Sequence, residues 1–203
     1  MKLYMSPASP FARKARIIVR ELDLARLVEE IAVNPATSEE LQRVNPLRKI
    51  PVLVLNDSST LIDSKVICEY LDDLGGGRFF PGAGPWGEPG GRWRALTLQA
   101  LGDGISEAAV ARVYEGRRPE GERSQAAVDK YLGQITRTLD VLERAGFAEK
   151  PTIGEIAVAC GLGYLDFREV MPGWRDARPR LRDWYEAFCK YPALQSTSPA
   201  SLP

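Results

Sequence analysis

The stretch Asn45-Pro46-Leu47-Arg48-Lys49-Ile50-Pro51-Val52-Leu53 constrains the fold of this chain more than any other. A polar, basic loop closes on Ile50-Pro51 and runs straight into a strand expected over Val52 to Leu55. Proline is tolerated as the first residue of a strand, because its missing N–H falls outside the ladder. Proline in a tight turn is also where cis peptide bonds occur. A cis Ile50-Pro51 would turn the N–H and C=O of Ile50 outward, where an extended peptide can pair with them as an added strand. Taken alone, the same stretch is also a plain loop entering a strand.

The rest of the first half supplies partners for that strand. Lys2 to Met5 reads as a short strand and Ser6 to Ser9 as a loop. Pro10 suits a first helical position with Ser9 as N-cap. Phe11, Ala15, Ile18 and Leu22 then recur at helical spacing, leaving Arg13, Lys14, Arg16 and Arg20 to other faces. A second strand is expected over Leu27 to Val33, although Glu29 breaks its alternation. Thr37-x-x-Glu40 is a capping box for a short helix ending before Pro46. Val52–Leu55 and Thr60–Ile62, joined through Asn56-Asp57-Ser58-Ser59, read as an antiparallel hairpin. Val66, Ile67, Tyr70, Leu71 and Leu74 give an amphipathic helix stopped by Gly75-Gly76-Gly77. The order is β-α-β-α-β-β-α, an α/β domain with a mixed sheet.

Arg78 to Gly91 is linker by composition, with Pro81, Pro85 and Pro89 among glycines. All that follows has helical periodicity. The expected division is residues 1–78, a linker over 79–91, and an all-α domain over 92–203. Trp93 to Ile105 opens a long helix reaching Tyr114. Val128, Tyr131, Leu132, Ile135, Leu139 and Leu142 form the clearest apolar stripe. Thr152-x-x-Glu155 is a second capping box, heading a helix stopped by Pro172. Leu181, Trp184, Tyr185 and Phe188 form a last helix, and the Ser- and Pro-rich tail from Gln195 is expected to fray.

Composition removes whole classes of chemistry. The 203 residues contain no histidine, which excludes Ser-His-Asp hydrolysis and almost every zinc site. The 27 basic and 27 acidic side chains balance, so nothing points to nucleic acid or an anionic membrane. No apolar run approaches the ~18 residues of a membrane span. Cys68, Cys160 and Cys189 are far apart in apolar helical settings and read as buried thiols in a reducing, cytoplasmic compartment. A catalyst built from this chain must use hydroxyls, backbone dipoles, carboxylates or basic groups.

Ser9 stands where such a group is useful. A helix N-terminus presents free N–H groups and partial positive charge, which suits an anion. A thiolate is such an anion: a free thiol has a pKa of about 8.5, and a hydroxyl donor at a helix terminus raises its ionised fraction near neutrality. Serine in that position is also an ordinary N-cap. Arg13, one turn on, either adds positive field there or is a structural charge. Asp63-Ser64 sits at the start of the third helix.

Three pieces, Ser6-Pro7-Ala8-Ser9-Pro10-Phe11-Ala12-Arg13-Lys14, the Asn45–Leu53 loop and Leu61-Ile62-Asp63-Ser64, together resemble the thioredoxin-like domain of the glutathione S-transferase superfamily. The similarity is to the small bacterial serine-type cytosolic transferases and spans about residues 1–80. It implies that Ser9 activates the thiol of glutathione, with Ser6 as nearest rival. Other branches of the family use a tyrosine near the end of the first strand; Tyr4 falls within the strand pattern and reads as core. By the same resemblance, Ile50 and Pro51 hold the cysteinyl part, Lys49 lies near the glycyl carboxylate, and Ser64 and Asp63 take the γ-glutamyl carboxylate and amino group. Glutathione is then co-substrate, no metal is needed, and the second substrate is a small hydrophobic electrophile. The acceptor pocket is expected around Asp103, Ile105, Ala109 and Arg112. A homodimer is expected, with Trp86 and Trp93 as large exposed apolar candidates. The alternatives are a glutathione-dependent thiol reductase or peroxidase, and a non-catalytic ligand- or partner-binding protein on the same fold.

Overall fold

Alternation along the first strand decides what each face of the sheet packs against. In the computed structural model of the protein, which describes residues 1–83 and 91–202, β1 (Lys2–Met5) pairs in parallel with β2 (Glu29–Ala32) and antiparallel with β3 (Val52–Val54). β4 (Thr60–Leu61) closes the edge antiparallel to β3, giving the order β2-β1-β3-β4. Successive side chains point to opposite faces. Leu3 and Leu53, opposite each other, therefore join the large core, whereas Tyr4 and Val52 enter a smaller cluster with Leu41 on the other face.

Helix α1 (Pro10–Glu21) and α3 (Ser64–Leu74) pack on the large-core face, and α2 (Glu39–Val44) covers the smaller cluster through Leu41. The helical domain follows: α4 (Arg92–Gly116), α5 (Gln125–Arg144), α6 (Ile153–Phe167), α7 (Pro179–Phe188) and the short α8 (Pro192–Gln195). The mixed sheet with helices, then a helical domain, is the expected fold class.

Several local expectations change. α2 is capped by Ser38, whose hydroxyl accepts from the Leu41 N–H, and not by Thr37; the helix starts one residue later than the Thr-x-x-Glu spacing requires. β2 covers only Glu29–Ala32, and α6 ends at Phe167, ahead of Pro172. The basic residues of α1 are not on a solvated face. Arg13, Lys14 and Arg16 are 3, 1 and 8 % exposed, because α1 is enclosed between the sheet and the helical domain. The start of the tail is tied down: Thr197 is fully buried with its hydroxyl on the Ala193 carbonyl at 2.7 Å, and the Ala200 N–H donates to Pro7 at 3.4 Å. Within the expected linker, buried Asp72 accepts from the N–H groups of Arg78, Phe79 and Phe80 at 2.8–2.9 Å. Trp86 lies outside the described residues.

α6 is apolar nearly all round and almost wholly buried, which makes it the centre of the helical domain. Its N-terminus carries the expected capping box: Thr152 accepts from Gly154 N–H at 3.1 Å and Glu155 from Thr152 N–H at 2.9 Å. α4 meets it backbone to backbone. A Cβ on Gly102 would sit 2.5 Å from the Val158 nitrogen. Gly102→Ala is therefore expected to destabilise the protein by about 1–3 kcal/mol, since a methyl there must push two packed helices apart. Urea denaturation checks it; an unchanged midpoint would mean that the α4–α6 contact yields freely.

Candidate functional site

The strand pairing brings the three candidate segments to one end of the sheet. Tyr4 lies opposite Val52, so the chain leaving β1 toward Ser6–Ser9 runs beside the chain entering β3 through Ile50-Pro51. Leu53 lies opposite Leu61, so the chain leaving β4 toward Asp63-Ser64 runs out at the same end. Ser9, Ile50, Pro51, Asp63 and Ser64, scattered over 56 positions of sequence, are thereby gathered by register alone. Two helices, α1 and α3, also begin there, and neither has an acidic residue in its first turn. The free N–H groups and positive dipole end of α1 favour an anion there, whereas α3 already carries the carboxylate of its N-cap Asp63.

Ser9 is the N-cap of α1. Its Oγ accepts from the Ala12 N–H at 3.2 Å, and its own backbone N–H donates to the Ser6 carbonyl at 3.0 Å. Capping uses a lone pair of the hydroxyl and leaves its proton available to donate. Ser9 is half-buried, whereas Ser6 is only 7 % exposed. Tyr4 is 3 % exposed and donates its hydroxyl to Glu40. That bond, with burial and the charges of Glu40 and Glu29, pushes the phenol up from 10.0 to about 12. The stability it contributes is complete below pH 10 and is lost as pH rises through about 12. Tyr4→Phe is expected to lose about 1 kcal/mol at pH 7 and to flatten the alkaline limb of the stability curve. Thermal melts between pH 7 and 12 check this; an unaltered alkaline limb would show that Tyr4 is not held by Glu40.

The loop before β3 is shaped by Asn45, which is buried. Its Nδ2 donates to the Lys49 carbonyl at 2.8 Å, and its Oδ1 accepts from the Leu47 N–H at 3.0 Å. Arg48 takes a positive φ of 51° within that loop. The Lys49 side chain is exposed, Ile50 half-buried, Pro51 buried, and the peptide bond between the last two is cis.

Asp63 caps α3, accepting from the Lys65 N–H at 3.0 Å and from the buried Ser64 hydroxyl at 3.1 Å. Partial burial acts to raise the Asp63 pKa. The Lys65 N–H, the Ser64 hydroxyl and the charges of Lys14 and Lys65 outweigh it and hold the carboxyl below the usual range. Asp63 is thus an ionised acceptor facing solvent.

Sequence reasoning missed the pair behind it. Lys14 Nζ and Asp103 Oδ1 meet at 2.5 Å, with side chains 1 and 4 % exposed, and join α1 to α4. Lys65 reaches the other Asp103 oxygen at 3.9 Å. A signal existed: Lys14 stands three residues after Phe11 and four before Ile18, on the apolar stripe of α1. Asp103 therefore does not face an acceptor pocket, and Ile105 and Ala109, both fully buried, belong to the core; Arg112 is the partly exposed one of the four. Arg13 points its guanidinium at the C-terminal segment, with Nη2 on the Leu194 carbonyl at 3.0 Å. Burial pushes the Cys68 thiol up to about 12 and Cys160 to about 11, so both stay protonated. Among the described residues no helix is long and apolar enough to cross a membrane.

Comparison with known proteins finds matches over both halves of the chain. The chain matches the family models described as glutathione S-transferase, N-terminal domain, over residues 3–79, and glutathione S-transferase, C-terminal domain, over residues 125–187. It is 34% identical to the uncharacterized GST-like protein YibF of Escherichia coli K12, over 98% of each chain. A glutathione transferase family member from Pseudomonas fluorescens Pf-5, solved with bound glutathione, is 36% identical over 98% of each chain with a TM-score of 0.88. The structure of that bacterium's family member with bound S-(propanoic acid)-glutathione superposes with a TM-score of 0.85 at 36% identity, over 98% of this chain and 99% of the other.

Proposed function

The chain belongs to the glutathione S-transferase family, and from that premise we propose that it binds glutathione, stabilises the thiolate and adds it to a small hydrophobic electrophile. The observation that carries this reading is the convergence of Ser9, Ile50-Pro51 and Asp63-Ser64 at one end of the sheet, beside two helix N-termini. In this reading residues 1–78 hold the tripeptide and residues 92–203 supply the acceptor side. Asp63 is the ionised partner of the γ-glutamyl amino group, and Ser64 with the α3 N-terminus takes the adjacent carboxylate. Ile50 offers backbone groups to the cysteinyl part, and Pro51 shapes that turn. The exposed ammonium of Lys49 is within side-chain reach of a glycyl carboxylate docked there. The Ser9 hydroxyl donates to the sulfur, and the dipole of α1 adds to its effect. The barrier is lowered by holding an ionised nucleophile beside the acceptor.

Conjugates are the expected products, as the S-(propanoic acid)-glutathione found on the Pseudomonas protein is itself a thioether of glutathione. A reductase reading needs a cysteine to form the mixed disulfide, and the first cysteine of this chain is the buried Cys68. The working unit is a homodimer; Val66, Trp93 and Val141, on α3, α4 and α5, are 48, 47 and 45 % exposed and supply apolar surface for it. The test is calorimetric titration with glutathione, followed by a panel of aryl halide, epoxide, peroxide and disulfide acceptors. Binding with conjugation of at least one carbon electrophile is expected. Binding with no turnover of any acceptor would leave a carrier protein, and no binding would remove the reading.

A further inference from the structure

A cavity of about 450 Å³ opens beside Arg13, one helical turn along α1 from Ser9, and is lined also by Gly163, Phe167, Tyr185, Cys189 and Leu194 among others. Arg13 is 3 % exposed and charged, yet among the described residues its guanidinium hydrogen-bonds only to a neutral carbonyl, that of Leu194. Its Nε and Nη1 have no partner among the described residues. A buried guanidinium without a counter-charge is costly, and its remaining donors call for an anion. The cavity's own carboxylate does not fill that need. Asp166 is held bidentately by Arg175 at 2.7 and 2.8 Å and accepts from Trp174 Nε1 at 2.9 Å.

Arg13 Nη1 and the Tyr185 hydroxyl converge over Gly163. A Cβ there would overlap Nη1 and lie 3.1 Å from the hydroxyl, so only glycine leaves the space in which both groups sit. Tyr185 is 7 % exposed, and its hydroxyl is hydrogen-bonded with the thiol of Cys189, which also lines the cavity. Two buried donors, one of them charged, thus meet at a cavity whose other walls include Phe167, Leu194 and Pro199. The single unmatched positive charge fits a monoanion, and the volume with its apolar walls fits an organic body and exceeds what an inorganic ion fills. We propose that this cavity binds the carboxylate of a small organic acid, with Arg13 as counter-ion and Tyr185 as second donor. The site stands apart from the glutathione reading and does not depend on it.

Cys189 lines the cavity and is half-buried, whereas Cys68 and Cys160 are fully buried, so its alkylation by iodoacetamide reports occupancy. The experiment uses the full chain with S-methylglutathione in excess, which occupies any glutathione carboxylate subsite without adding a thiol. Phenylacetate is expected to slow Cys189 alkylation in a saturable way, and phenylacetamide and inorganic phosphate are not. Arg13→Met should weaken phenylacetate by about tenfold or more, the loss of a charge-assisted hydrogen bond. Tyr185→Phe should give a smaller loss. Protection by the amide equal to that by the acid would overturn recognition of the charge, and protection by phosphate as strong as by phenylacetate would overturn the organic-acid assignment. No protection at all, or full affinity in Arg13→Met, would remove the site. Should Arg13→Met fail to fold, the acid–amide comparison on the unmodified protein and the Tyr185→Phe loss decide alone.

Discussion

Ser9→Ala is expected to slow glutathione conjugation at neutral pH by about 10²-fold or more, the effect of losing one donor where charge develops, on the order of 2–4 kcal/mol. Binding of glutathione itself should change little, because Lys49, Ile50, Asp63 and Ser64 hold the peptide in this reading. The same substitution removes the cap on Ala12 N–H, so the melting temperature should also fall, by the equivalent of about 1 kcal/mol. The two effects are separable. The cap acts through the oxygen lone pair and alters stability at every pH. Thiolate stabilisation acts through the hydroxyl proton and shifts the pH–rate profile to higher pH. The profile, read beside the ultraviolet absorbance of bound thiolate, is the measurement. A lowered melting temperature with an unchanged profile would leave Ser9 as a cap alone and pass the chemical role to Ser6.

Asp103→Ala is expected to have the largest effect on stability of any single substitution discussed. It strips the counter-charge from Lys14, which is 1 % exposed and has no water to turn to. Removing one partner of a buried pair costs about 3–5 kcal/mol, which for a chain of this size lowers the melting temperature by on the order of 10 °C. The double variant Lys14→Met with Asp103→Leu should recover most of that loss, since two apolar side chains of similar volume carry no desolvation penalty. A double-mutant cycle in urea gives the coupling directly. A loss below about 1 kcal/mol in Asp103→Ala would show that Lys14 escapes to solvent and that the pair does not bind α1 to α4.

What was legible in the sequence is what depends on neighbours in the chain. Helix and strand order follows from local periodicity. Ser9, Asp63 and Thr152 announce helix starts because a cap acts within three residues. The loop from Asn45 to Pro51 is legible for the same reason: its shape comes from a side chain bonding to backbone two and four residues on. Local rules also misplace things when two candidates compete locally, as Thr37 and Ser38 do for α2.

Tertiary structure decided the rest, because burial is a property of what comes to lie against a residue. Arg13 and Arg16 lie off the apolar stripe of α1, and they are buried only because α4, α6, α8 and the sheet close around the helix. Asp103 looks like a pocket residue until Lys14, 89 positions away, is found opposite it. The tail has the composition of a fraying end, yet a buried threonine and a bond to Pro7 fasten its start beside the Ser9 loop. The gathering of Ser9, Pro51 and Ser64 at one sheet end rests on strand register, which no local pattern contains. The sequence by itself determined which groups are present and how each helix begins; long-range pairing determined which of them share a site and which charges are left to seek a partner.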